Sequence, residues 1–165
     1  MGEITILKRS FLFLVTAAVL FVLAGCSNET AQHNEQYVSQ VKELVNQTVN
    51  YTRVMVTKEK NFNCHNEAEA KEYIDTLDKL SDIFQKVITL NASEEFDQLN
   101  KELSQETTSA LSEISELKSL AAYAIEKGDD TFYQRDKAGI RKDYDEHYRR
   151  MTELSSEIQT QWRND

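Results

Sequence analysis

The run Glu67 to Leu90, EAEAKEYIDTLDKLSDIFQKVITL, decides the fold class. Its apolar residues Tyr73, Ile74, Leu77, Leu80, Phe84, Val87 and Ile88 return at steps of three and four and do not alternate. That spacing lines one side of an α-helix and would scatter over both faces of a strand. Glu67 and Glu69 at its start suit the positive end of the helix dipole.

The same rhythm continues on either side. Upstream, about Asn34 to Lys60, one stripe carries Tyr37, Val38, Val41, Leu44, Val45, Thr48, Thr52 and Met55; its β-branched content makes it the weakest helix by propensity. Downstream, about Glu94 to Lys127, the stripe is Phe96, Leu99, Leu103, Ala110, Ile114, Leu117, Ala121 and Ala124, with Ser93 placed to cap its start and Gly128 to stop it. The last segment, about Asp130 to Trp162, carries Tyr133, Ile140, Tyr144, Tyr148, Met151, Leu154, Ile158 and Trp162. Gly139 lies inside it and costs about 1 kcal/mol relative to Ala, which leaves a kink or a break there open. The connections between segments are short, so successive helices should lie antiparallel. The expectation for residues 34–165 is an all-α, up-down bundle of about four helices. The last two are long and coiled-coil-like, and long enough to project beyond the first two as a hairpin.

Composition agrees with one domain of this kind: 165 residues without proline, with four glycines and two cysteines. The formal charge of −9 argues against a nucleic-acid partner, which calls for a basic face.

Residues 1–25 differ from the rest. Lys8 and Arg9 precede an uncharged apolar run from Phe11 to Ala24, which Leu23-Ala24-Gly25-Cys26 closes. As a helix the run would be about 21 Å long, short of a ~30 Å hydrocarbon core, so an export signal is favoured over a permanent span. The tetrad LAGC resembles the lipobox of bacterial lipoproteins. The resemblance implies cleavage before Cys26, a diacylglyceryl group such as palmitate supplies on its thiol, and a chain held on the outer leaflet of the cell membrane. Two or more acyl chains anchor stably, at ~0.8 kcal/mol per buried methylene. Asn-rich usage favours a Gram-positive cell. Residues 26–33, polar and without apolar periodicity, would then be the lipidated cysteine and a tether. The mature chain would carry 17 positive against 27 negative charges, which an anionic lipid surface repels.

The residues able to carry chemistry are few. Cys64 and His65 are adjacent, but two neighbouring donors do not make a tetrahedral site; Cys64 reads as a partly buried cysteine at a helix start, with an intermolecular bridge or a reactive surface thiol as its other roles. His147 follows Asp143, Asp145 and Glu146 and shares a face with Asp143, yet Tyr144 stands where a di-metal bundle motif has glutamate, so helix-face ion pairs of these acids to Arg149 or Arg150 are expected instead. The hydroxyls Ser104, Thr107, Thr108, Ser109, Ser112, Ser115 and Ser119 have no base placed beside them by sequence. There is no Gly-rich phosphate loop or hydrolase signature. No enzyme activity, cofactor or metal is expected. The fourth segment concentrates bases, of which Arg141, Lys142, Arg149 and Arg150 are the candidate contact residues for a partner or polymer, with a solvated face as the ordinary alternative. The expected function is an extracytoplasmic lipoprotein that works by protein–protein contact as a scaffold, accessory or exclusion-type factor. The alternative is an envelope module that binds an anionic wall polymer or a cation.

Overall fold

A computed structural model describes the backbone of residues 3–164 and the side chains of residues 29–163. Four α-helices follow one another: α1 (Glu3–Lys60), α2 (Glu67–Ile88), α3 (Asp97–Lys127) and α4 (Thr131–Asn164), with one 3₁₀ turn at Glu94–Phe96. Their extensive interfaces run α1 to α2, α2 to α3, α3 to α4 and α4 back to α1, a closed ring in which each helix packs on two neighbours. This is the up-down-up-down bundle that the apolar periodicity predicts.

Local chemistry sets the ends of the helices. Asn66 caps α2, its side chain accepting from the Glu69 N–H at 3.3 Å. Gly128 ends α3 in the left-handed region (φ 60°), where its N–H donates to the Ile125 carbonyl and that of Asp129 to Ala124, the paired bonds of a Schellman stop. Asp129 then opens α4 by accepting from both the N–H and the hydroxyl of Thr131, at 2.9 and 2.5 Å.

α1 begins upstream of Asn34, and its backbone is helical through residues 27–33. Other expectations need correction. Ser93 precedes a 3₁₀ turn, not the α-helix proper, and makes no capping bond with its side chain; the turn swings Phe96 inward onto Tyr37, ring centroids 5.5 Å apart. α4 passes Gly139 unbroken, because its apolar face on either side, Tyr133 before it and Ile140 and Tyr144 after it, is buried in the core. The α3–α4 hairpin does not project: the loop after α1 and the segment after α2 fill the ends that the shorter α2 leaves open.

The core is continuous from one end to the other. At the end where α1 leaves Asn34, Tyr37 donates to Asn100 at 3.1 Å, Asn100 donates to the Leu90 carbonyl at 3.2 Å, and Gln161 near the end of α4 donates to the Glu95 carbonyl at 3.0 Å. The middle is filled by Met55, Leu77, Leu80, Phe84, Ile114, Leu117 and Met151, all fully buried. At the far end, Phe62 of the α1–α2 loop lies between Tyr73 and Tyr133, with centroids 5.4 and 4.4 Å away. Burial of Phe- and Leu-sized side chains contributes about 1.5–3 kcal/mol each, which is what fixes the helices against one another.

Candidate functional site

The far end of the bundle holds a cluster of buried polar groups. Glu59, in the last turn of α1, faces Arg141 of α4, with Nε and Oε2 3.3 Å apart; their side chains are only 12% and 15% exposed. The same guanidinium reaches Asp145 through Nη2 at 3.0 Å and lies over the Tyr144 ring, 5.0 Å from its centroid. Its Nη1 is buried with no hydrogen-bond partner among the described residues. The hydroxyls of Tyr73 and Tyr133 are likewise buried; they interact electrostatically with each other, yet neither makes a well-formed hydrogen bond. Lys137 lies over the Tyr133 ring at 5.1 Å.

Desolvation dominates the protonation chemistry here. Burial raises the Glu59 carboxyl above its ordinary range against the opposing pull of Arg141 and Lys137, while Asp145 adds to the rise. Burial also pushes the phenols of Tyr73 and Tyr133 above their usual range, so both remain protonated and able to donate. Beside this cluster, Cys64 is 7% exposed, and burial together with the charges of Asp130 and Asp129 raises its thiol. A thiol so placed is a poor nucleophile, in line with the reading of Cys64 as a buried cysteine before a helix.

The four candidate bases of α4 do not assemble into one cationic face. Arg141 points to α1 and is paired with Glu59 and Asp145. Arg150 lies on the other side of the helix against α3, where it meets Glu102 at 3.1 Å and Glu157 at 2.8 Å. Arg149 pairs with Glu153, while Lys142 is exposed and makes no ion pair among the described residues. The sequence shows the run of bases but not the acids that the bundle brings to them from α1 and α3. His147 also finds its partner across the interface: Nδ1 is 2.8 Å from Glu106 of α3. On α3 the hydroxyls of Thr107, Thr108, Ser115 and Ser119 donate to the carbonyl four residues back, the ordinary use of such groups on a helix. Cys26 lies in α1, and its side chain is outside the described residues.

Two surface features were not legible in the sequence. Tyr123 and Phe132, 45% and 44% exposed, meet edge to face at 6.1 Å where α3 hands over to α4. Lys127 lies over the first ring and Arg135 over the second, each also paired with the acid next to it in sequence, Glu126 and Asp136. Between α1 and the C-terminal end of α2, a shallow groove of about 300 Å³ is lined by Gln40, Glu43, Leu44, Gln47, Lys86 and Leu90. Among the described residues, no group of three or more His, Cys, Asp or Glu side chains is arranged to hold a metal ion, and no helix is long and apolar enough to cross a membrane. No family model matches the chain, and neither a curated protein nor a solved structure matches it.

Proposed function

We propose that the chain is a bacterial lipoprotein whose helical bundle, anchored outside the cytoplasm through Cys26, works by contact with other proteins as a scaffold, accessory or exclusion-type factor. The observation that carries the reading is the tetrad Leu23-Ala24-Gly25-Cys26 at the end of an uncharged apolar run directly upstream of a helical body. The geometry adds a direction. Residue 26 enters the bundle at one end, and the exposed Tyr123–Phe132 pair lies at the other, about 50 Å away by the helical rise of α1. Exposed aromatic side chains are the anchors that protein interfaces favour, and these two stand where an approaching partner would meet them first.

The alternative, binding of an anionic wall polymer, rests on Arg141, Lys142, Arg149 and Arg150. Three of these already have carboxylate partners, so a polymer would have to displace them, and protein contact is the better-supported reading.

Labelling cells with radioactive palmitate tests the anchor. The parent chain is expected to take up label and Cys26→Ser to take up none; equal labelling of both, or an unmodified residue 26 in mass spectra, overturns it. Crosslinking followed by detergent extraction tests the contact: a specific adduct lost in Tyr123→Ala/Phe132→Ala is expected, and no specific adduct in the parent overturns it.

A further inference from the structure

The Glu59–Arg141 pair ties together more of the molecule than two side chains. Glu59 is three residues before Phe62, and its backbone carbonyl accepts the Phe62 N–H at 3.2 Å. Phe62 and Cys64 are the buried residues of the loop over 61–66, and Phe62 is wedged between Tyr73 of α2 and Tyr133 of α4. Opening that loop would therefore unwind the last turn of α1, bring the Glu59 carboxylate into water and uncover the Cys64 thiol in one event. Arg141 need not be left without a counterion when this happens, because Asp145 already holds its Nη2 and is 54% exposed. The guanidinium is thus shared between a buried carboxylate and a solvated one.

We propose that Glu59 makes this end of the bundle an acid-tightened clasp, in which the loop over 61–66 opens locally while Glu59 is ionised and closes as Glu59 takes up a proton. The sign follows from solvation. In the closed clasp Glu59 is largely cut off from water, and in the open form it is hydrated; a proton binds more readily to the closed form, so acidification must favour closure. The rise in the Glu59 carboxyl described above is the same statement seen from the closed state.

The other charges around the clasp define the controls. α1 contributes Lys58, which pairs with Glu72 of α2, and α4 contributes Lys137, Arg141 and Asp145. Tyr73 and Tyr133 stay protonated throughout. From the α3–α4 turn, Asp129 and Asp130 face Cys64, and Asp129 also feels His65. His65 lies beside Asp129, so its contribution has to be separated.

The test uses the full chain in detergent with Cys26→Ser, which leaves Cys64 as its thiol. Reaction with a dipyridyl disulfide is followed in native and in denatured chain at each pH, and the ratio of the two rates gives protection of Cys64 free of the reagent's own pH dependence. Protection is expected to rise several-fold as the pH is lowered from neutrality through the titration of Glu59. With Glu59→Gln added it should be high and flat from the start, whereas His65→Gln should keep most of the parent's slope. Hydrogen exchange of the Phe62 amide in the parent, corrected for intrinsic rates, should trace the same curve without any substitution at Glu59. Protection that does not change with pH in the parent, or a Glu59→Gln chain with the parent's slope, overturns the clasp.

Discussion

Tyr144 and Thr52 join α4 to α1 through hydroxyls 2.6 Å apart in the middle of the core, both side chains buried. Burial holds the Tyr144 phenol above its usual range, so the bond persists through mild alkali. Replacing Tyr144 with Phe keeps the ring and deletes one hydroxyl, leaving Thr52 Oγ1 in an apolar surrounding. Thr52→Val does the converse. A lost neutral hydrogen bond and one orphaned buried group together cost about 1–3 kcal/mol. We expect ~1.5 kcal/mol for each single change, or a fall in Tm of about 4–6 °C for a chain of this size. The double replacement removes both hydroxyls and leaves no orphan, so it should cost about as much as one single change, a coupling of ~1 kcal/mol or more. Urea unfolding followed by far-UV circular dichroism on the four proteins measures it. Strict additivity would show that the two hydroxyls do not depend on each other and would refute the account of how α1 is held to α4.

Three further outcomes follow from the packing. Gly139→Ala should raise stability by about 0.5–1 kcal/mol, since an added Cβ meets nothing within 4 Å on an exposed helical site, while Gly128→Ala should lower it by about 1–2 kcal/mol because φ is +60°; thermal melts of the pair separate the two roles of glycine. Phe84→Ala, at a fully buried ring 6.3 Å from that of Tyr144, should cost about 3–5 kcal/mol in the same unfolding assay, and a loss below about 1 kcal/mol would contradict the assigned core. Because burial raises the Glu59 carboxyl in the folded chain, its ionisation opposes folding above that raised value and the penalty fades as pH falls through it; Glu59→Gln should therefore melt no lower than the parent near neutrality, and any advantage should vanish in acid.

Periodicity along the chain made the helices legible, since each stripe has to face the core whatever its neighbours are. Thr48 and Thr52 read correctly as stripe members and are buried. Ile83 is also buried, three residues after Leu80 and four before Val87 on the same stripe. The candidate site was far less legible. Arg141 and Glu59 are 82 positions apart, and nothing near either one announces the other. The same holds for His147 with Glu106 and Arg150 with Glu102. A run of bases is a local property, but whether it faces a partner or is neutralised within the protein depends on how the helices are arranged around the ring. Ser93 fails as a cap for a related reason: burial of Phe96 against Tyr37 outweighs a hydrogen bond at the start of the turn.

The ring also bears on mechanical load. A pull applied at the beginning of α1 and resisted at the α3–α4 turn acts along the long axis, so α1 has to slide lengthwise past α2 and α4 together before any contact is lost. Sliding breaks many side-chain contacts at once, whereas a sideways pull would peel them one after another. The protein should therefore withstand tension between its two ends far better than tension across its width.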